Sequence, residues 1–558
     1  YSTARSYWTT SSMDGGEVEQ GGVGEVLMNR FNLRNVYTYF YTNANLTDSS
    51  NDFQTTNANI TPTVLGLLAG DTDGRYKLIR FTRGWDAYDD NNNGILDEER
   101  RDWILGSFLH SRPVIIHYTG GRSVVFAGGN DGMLHAFDDS DGRELWGFIP
   151  PNQLNTLQAL HTDTNASYVD GAPRAYISYE YNTDGSIKTV LKAILIFGER
   201  RGGNHYYALD VTNPDAPKFL WEIGPTARVY QTTTYSTADY QELGQTWSSP
   251  IVGRICDGTP EGKWVAFIGG GYDTNQDNDP VIASDSKGRA IYVVDLLTGS
   301  LVKRFSVTEY PDMTYSIPSD IAKVDTDGNG KVDRLYVGDM GGRMWRFDIG
   351  NSDVGQWTAK IIFKSNPDAN TRRKIFYPPD VTLERDATGD YEALFFGTGD
   401  RETPKESAVI NRFYSVKDKF TVNNGVYSPS NPLEETDLVN VTSDLLQTGT
   451  AQEKQNILSE LKAKAGWYIT LENTGEKSLA NPVVFSKIVY FSTFTPSGDV
   501  VVGDPCYVGE GTARLYAVKY DTGNAFFDFD LTNDVGGTVL AKSDRSLIMG
   551  TAIPSGVI

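Results

Sequence analysis

Phe126-Ala127-Gly128-Gly129-Asn130-Asp131-Gly132-Met133-Leu134-His135-Ala136-Phe137 reads as a strand, a tight turn and a second strand. The turn is built from Gly, Asn and Asp. Gly accepts positive φ without steric cost, and Asn and Asp side chains bond their own backbone. The apolar runs on either side are short and end at turn residues, which favours strands over helices. Val124–Gly128 with Met133–Phe137 is the first of six such pairs. The others are Ala193–Phe197 with Tyr206–Asp210, Trp264–Gly269 with Ala290–Asp295, Arg334–Gly338 with Met344–Asp348, Ala393–Gly397 with Arg412–Val416, and Val489–Thr493 with Ala513–Tyr520.

A proline-containing strand start precedes each pair: Ser111-Arg112-Pro113, Gly171-Ala172-Pro173, Ser248-Ser249-Pro250, Ile317-Pro318-Ser319, Tyr377-Pro378-Pro379 and Asn481-Pro482-Val483. A further start is Gly550-Thr551-Ala552-Ile553-Pro554. Repeats of four short strands at this period predict an all-β protein, a β-propeller whose sheets bury their faces against one another. Six units are complete. The seventh start has no followers, so early strands are expected to complete its blade. The expectation is a modified seven-bladed propeller, with six blades as the fallback.

The remaining chain sets the boundaries. Residues 1–85 are rich in Gly, Asn and Thr with scattered aromatics and read as an irregular N-terminal arm packed on a propeller of residues 86–558. Short helical insertions are expected. Within the insertion 421–466, Thr450-Ala451-Gln452-Glu453 is a capping box, followed by Ile457, Leu458 and Leu461 and then Gly466. That pattern predicts a short amphipathic helix on the propeller flank. The insertion 272–287 is rich in Asp and Asn.

One turn carries more than a turn needs. Asp325-Thr326-Asp327-Gly328-Asn329-Gly330-Lys331-Val332-Asp333 places oxygen side chains at positions 1, 3, 5 and 9. Gly330 at position 6 permits a sharp bend, and Lys331 at position 7 offers its carbonyl. Ca²⁺ takes about six to eight hard oxygen ligands, and this spacing supplies them. Three carboxylates in one small loop would otherwise repel each other. Tyr336 stands where an EF-hand has its bidentate Glu, so Asp333 must close the shell. The flanks Ile321–Val324 and Leu335–Val337 read as strands, so the loop joins strands rather than helices.

Asp89, Asn91, Asn93, the Ile95 carbonyl and Asp97 repeat the pattern with fewer carboxylates, giving a second, weaker cation site. It leads into residues 98–109, whose Trp103, Ile104, Phe108 and Leu109 predict a helix. Asp273 to Asp279 alternates oxygen residues without the glycine and reads as a solvated loop. Asp71-Thr72-Asp73-Gly74 reads as a turn.

Composition narrows the function. The 558 residues carry a net charge of −22, which argues against nucleic acid and anionic membrane as main partners and suits divalent cations. At 39% hydrophobic and 12% aromatic the chain can bury a large core. No apolar run is long enough to span a membrane. Cys256 and Cys506 leave pairing open and do not form a zinc motif. There is no GxSxG, HExxH or Walker loop. The five His are scattered, and His135 and His205 lie in strands, where a packed, hydrogen-bonded histidine is the default. Tyr1 in place of Met suggests a processed or excised chain.

These stretches resemble the PilY family of type IV pilus biogenesis proteins. The resemblance rests on Phe126–Phe137, on Leu243-Gly244-Gln245-Thr246-Trp247-Ser248-Ser249-Pro250, on Tyr206-Tyr207-Ala208-Leu209-Asp210, and above all on Asp325–Phe347 with Gly338-Asp339-Met340 and Met344-Trp345-Arg346-Phe347-Asp348. It covers about residues 103–558 and is weak over residues 1–85.

The resemblance implies the C-terminal half of an exported protein at the outer membrane, cell surface or pilus tip. The family's N-terminal half, often similar to a von Willebrand A domain, is not in this chain. It further implies a non-enzymatic, Ca²⁺-regulated factor that supports pilus extension, opposes retraction, and takes part in twitching and adhesion. Its implied partners are minor pilins and the pilus tip, with a host-cell surface receptor as a further one. The family's calcium loop carries over as Asp325, Asp327, Asn329, the Lys331 carbonyl and Asp333. Some members bind integrin through Arg-Gly-Asp; that tripeptide does not occur here, and the role is not carried over. The alternative is a periplasmic dehydrogenase using pyrroloquinoline quinone and Ca²⁺. Many of those enzymes have adjacent cysteines under the quinone, and Cys256 and Cys506 are not adjacent.

Overall fold

Ser123–Gly128 pairs antiparallel with Leu134–Asp138, Val125 opposite Phe137, and Gly132 closes the turn at φ 93°. The same hairpin recurs along the chain. In the computed structural model, residues 5–10, 14, 21–95, 99–162, 166–225, 229–230, 233–234, 237–278, 284–365, 372–387, 389–419, 432–497, 511–534 and 540–556 are described. They fall into two units, residues 1–252 with 294–301 and residues 253–293 with 302–558.

Among the described residues there are six sheets of four or five strands and one two-stranded ribbon. The first sheet runs Val114–His117, Ser123–Gly128, Leu134–Asp138 and Glu144–Phe148, and Val36–Tyr37 joins it parallel to Glu144–Phe148. The second holds Arg174–Tyr181, Ile187–Gly198, Tyr206–Asp210 and Lys218–Ile223. The third begins with Ile251–Ile255 and Lys263–Gly269, and the fourth with Ala322–Val324 and Arg334–Gly338. In the fifth, Val439–Asn440 adds in parallel to the last strand, Gly466–Thr470. The sixth ends in Ser546–Gly550, paired with Thr512–Lys519.

Within each unit, neighbouring sheets share apolar cores. In the first unit Phe126, Leu134, Trp146 and Phe148 pack with Leu195, Phe197 and Tyr207. In the second, Phe267 and Ile291 pack with Leu335 and Val337. Tyr336 and Met344 pack with Leu394 and Tyr414, and Phe413 and Trp467 with Val489 and Phe491. These side chains alternate along their strands, so each sheet offers an apolar face that burial against its neighbour removes from water.

Tryptophans tie these packings together. Trp146 donates its indole N–H to the Pro214 carbonyl at 2.7 Å, and Trp467 donates to Tyr520 at 3.0 Å. Trp221 donates to Leu296 at 3.0 Å within the first unit. Each acceptor follows the third strand of a sheet. Gly299 and Gly523 lie against the rings of Trp221 and Trp467, where a Cβ would come within 2.7 and 2.9 Å of packed side-chain atoms. Trp8 repeats the arrangement on the first sheet. It donates to Asp139 at 2.9 Å, and a Cβ on Gly142 would lie 2.8 Å from its ring.

Several expectations change. The arm is not wholly irregular: it holds helices Gly22–Asn29 and Thr72–Arg83. Asp71 is the N-cap of the second, accepting from Gly74 N, and Gly84 ends it at φ 111°; the stretch read as a turn is therefore a helix start. Leu78 and Ile79 of that helix pack with Phe40, Phe53, Met133 and Leu157, which fixes the arm to the first unit. Second, residues 99–109 form no helix. Gly106 N donates to Asp131, Asn130 N donates to Ser107 O, and Ile104 is buried, so tertiary contacts and not helical bonds fix the segment. Third, the expected seventh strand start contributes only Gly550, the last residue of the sixth sheet's outer strand, and residues 551–556 form no strand. Fourth, Asp273 and Gln276 in the loop read as solvated are buried, while Thr274, Asp277 and Asn278 are exposed. In the insertion 421–466, residues 421–431 lie outside the described residues, as does Cys506. Helix Ala451–Ala463 forms with both capping-box bonds and buries Leu461.

Candidate metal centre

Loop Asp325–Asp333 joins Ala322–Val324 to Arg334–Gly338, with Val324 opposite Arg334. Asp333 N donates to Val324 O at 2.9 Å and closes its base. Gly328 and Gly330 sit at φ 74° and 77°, in the left-handed region that Gly enters freely. The loop therefore folds back on itself and brings its acidic side chains together. Carboxylate oxygens of Asp325, Asp327 and Asp333 all lie within 4.8 Å of one another. Among the described residues this is the one such cluster of His, Cys, Asp or Glu.

The loop's own donors aim these groups. Asp325 accepts from Gly328 N at 2.8 Å and from Gly330 N at 2.6 Å. Asp327 accepts from Asn329 N at 3.1 Å. Asp333 accepts from both the backbone N and the hydroxyl of Thr326, each at 2.7 Å. Thr326 was not legible as a site residue, because position 2 of such loops has no required chemistry. Asn329 directs its amide nitrogen to Asp327 at 2.9 Å, while its oxygen accepts from Lys331 N at 2.8 Å. A half-turn of that amide would present the oxygen instead.

The donor set fits a hard cation. All side-chain donors are oxygens, and three are carboxylates. Two like charges about 4.8 Å apart repel by about 1 kcal/mol even at the permittivity of water, and by more at a protein surface. A divalent cation among them would add an attraction to each carboxylate that outweighs this repulsion.

The second predicted loop is differently arranged. Asp89 accepts from Gly94 N at 3.1 Å, and Asn91 and Asn93 both donate to Glu99, at 2.8 and 2.6 Å. These amides hold the Glu99 carboxyl below its usual range. Ile95 N donates to Asn93 Oδ1 at 2.7 Å, and Asp97 lies outside the described residues. Glu99 is thus a loop member that the spacing did not reveal.

Asp273, read as part of a solvated loop, is buried. It accepts from Asn275 N, Ser286 N and Lys287 N, and these donors outweigh burial and lower its pKa. A carboxylate so supplied needs no cation. Asp279 lies outside the described residues.

Both histidines read as strand residues are packed, but His205 stands one residue before strand Tyr206–Asp210 and not in it. His135 is fully buried between Asp131 at 3.0 Å and Glu144 at 2.8 Å. Arg34, also buried, forks onto Glu144 at 2.7 and 2.8 Å. Burial alone would lower the His135 pKa, but the two carboxylates raise it to about 9. His205 lies 3.7 Å from Glu222. Burial pushes Glu199, which accepts from Asn152 and Gln153, up to about 8.

Residues 117–410, more than half of the chain, match the family model described as the PilY1 beta-propeller domain. The chain belongs to the PilY1 propeller family. It is 26% identical to the type IV pilus biogenesis factor PilY1 of Pseudomonas aeruginosa (strain UCBPP-PA14), over 87% of this chain and 45% of that protein. It is also 26% identical to a PilY1 homolog of Xylella fastidiosa (strain Temecula1), over 72% of this chain and 26% of that protein. The chain thus spans less than half the length of these PilY1 relatives. Its fold is similar to the crystal structure of the Pseudomonas aeruginosa PilY1 C-terminal domain. The TM-score is 0.51 at 22% identity, covering 77% of this chain and 86% of that one. No helix among the described residues is long and apolar enough to cross a membrane.

Proposed function

We propose that this chain is the propeller portion of an exported, Ca²⁺-binding type IV pilus biogenesis factor, and that Asp325–Asp333 is its calcium site. The observation that carries the reading is the convergence of Asp325, Asp327 and Asp333 in a strand-to-strand loop of a PilY1-family propeller. The side chains of Asp325, Asp327, Asn329 and Asp333 and the carbonyl of Lys331 would hold the ion. Bound Ca²⁺ supplies positive charge that offsets carboxylate repulsion. Thr326 orients Asp333, and the two glycines permit the fold-back. Occupancy then orders one rim of the fourth sheet, while the cores, which take only Val332 from the loop, are held by the strands.

Family membership supports a non-enzymatic role at the outer membrane, cell surface or pilus tip. There the factor would support pilus extension, oppose retraction and serve twitching and adhesion, with minor pilins and a host-cell receptor as partners. Six blades is the count that the six sheets support, in place of seven. The Asp89 loop, with Glu99, is proposed as a second, weaker cation site.

The test is calorimetry on the wild type and Asp333→Ala, followed by piliation and twitching at matched protein levels. Loss of one binding event together with altered piliation is expected. Equal calcium binding in both proteins would sink the site assignment. Wild-type piliation with an empty site would sink the regulatory role.

A further inference from the structure

The calcium loop has two faces. Positions 1, 3 and 9 turn their carboxylates inward, and positions 6, 7 and 8 grip the strand Ile251–Ile255 and the turn that follows it. Val332 N donates to Arg254 O at 2.7 Å. The Val332 side chain is buried in one core with Ile255. Arg254 Nε donates to Gly330 O at 3.3 Å, and Lys331 Nζ donates to Thr259 O at 2.8 Å. The receiving turn is itself stiff. Asp257 accepts from the backbone N and the hydroxyl of Thr259, and Gly262 N donates to the Thr259 hydroxyl at 3.1 Å. The Arg254 guanidinium also lies 5.7 Å from the ring of Trp264, which is 40% exposed on the return strand.

We propose that Arg254 and Lys331 form a latch through which the cation loop positions the neighbouring hairpin, so that the exposed face around Trp264 is the surface calcium orders. This rests on the calcium reading above. Lys331 is the pivot: its carbonyl is the ligand at position 7, while its ammonium holds Thr259. Drawing that carbonyl toward a cation fixes the backbone from which the side chain reaches, so one residue links the two elements. The side chain at position 7 has no part in coordination. Its removal therefore separates binding from transmission. Arg254 is a positioning residue in the same sense, since it holds the Gly330 carbonyl and not the ion.

The experiment uses the full chain and Ca²⁺ alone as probe, with calorimetry and hydrogen exchange by mass spectrometry on the wild type and on Arg254→Gln/Lys331→Met. In the wild type, Ca²⁺ should slow exchange several-fold in both 325–333 and 256–262. In the double variant, at Ca²⁺ concentrations that calorimetry shows to be saturating for it, slowing should be kept at 325–333 and lost at 256–262. Should that variant fail to fold, Lys331→Met alone removes the Thr259 bond and carries the same expectation. Calcium binding in the wild type with no response at 256–262 overturns the latch, as does an undiminished response in the variant. No binding in the wild type overturns the calcium reading and the latch with it.

Discussion

Raising the pH from 6.5 to above 9 should remove a proton that helps hold the first unit together. His135 is fully buried, with Asp131 at 3.0 Å and Glu144 at 2.8 Å, and Glu144 is shared with buried Arg34. Two cations thus face two carboxylates. The rise in the His135 pKa from 6.5 to about 9 corresponds to about 3 kcal/mol at 1.36 kcal/mol per pH unit. Because the folded value lies above the unfolded one, this contribution is complete below pH 6.5. It falls with a limiting slope of about 1.4 kcal/mol per pH unit and is lost as pH passes about 9. Loss of the proton leaves Asp131 and Glu144 facing a neutral ring, with Arg34 as the remaining close cation. The direct assay is an NMR titration of histidine-labelled protein, made tractable by only five histidines. His135→Gln assigns the resonance. Denaturant unfolding of both proteins between pH 6.5 and 9 then reads the energetic consequence. A His135 resonance that titrates at or below pH 6.5 would refute the argument, as would equal pH slopes in the two proteins.

Three further outcomes are expected. Thr326→Val removes the hydroxyl that orients Asp333 and should weaken calcium binding roughly ten-fold by calorimetry, with stoichiometry kept. Thr450→Ala removes the N-cap of helix Ala451–Ala463 and should cost about 1 kcal/mol, read by chemical denaturation. Trp467→Phe loses the bond to Tyr520 and the ring contact with Gly523, and should cost about 1–3 kcal/mol, with faster hydrogen exchange in the fifth and sixth sheets.

What was legible in the sequence was what local chemistry decides. The Gly-Asn-Asp turn at 128–132 and the Thr450 capping box each require particular residues at particular offsets, and both form as read, while in the loop Asp325–Asp333 the three aspartates converge. Residues 99–109 show the limit. Their apolar spacing suits a helix, but Gly106 and Asn130 bond across to distant partners, and those contacts decide the conformation. Asp273 fails for the related reason that its donors, Ser286 and Lys287, lie more than ten residues away and burial cannot be read from polarity. Arg254, Glu99 and Trp8 act on loops or turns distant in the chain or outside the loop spacing, so no single window contains their signal.

Trp8 has a mechanical consequence. Its indole is pinned to the turn Asp139–Gly142, as the Trp221 and Trp467 rings are pinned to their own turns. A pull on the chain ahead of Trp8 would therefore reach that turn before it reaches any strand of the first sheet. There it meets a flat ring wedged against a glycine, which resists sliding better than a lone hydrogen bond does. Force entering from that side would be spread into the first unit's packed interior, and the outer strands would be spared from being peeled away one at a time.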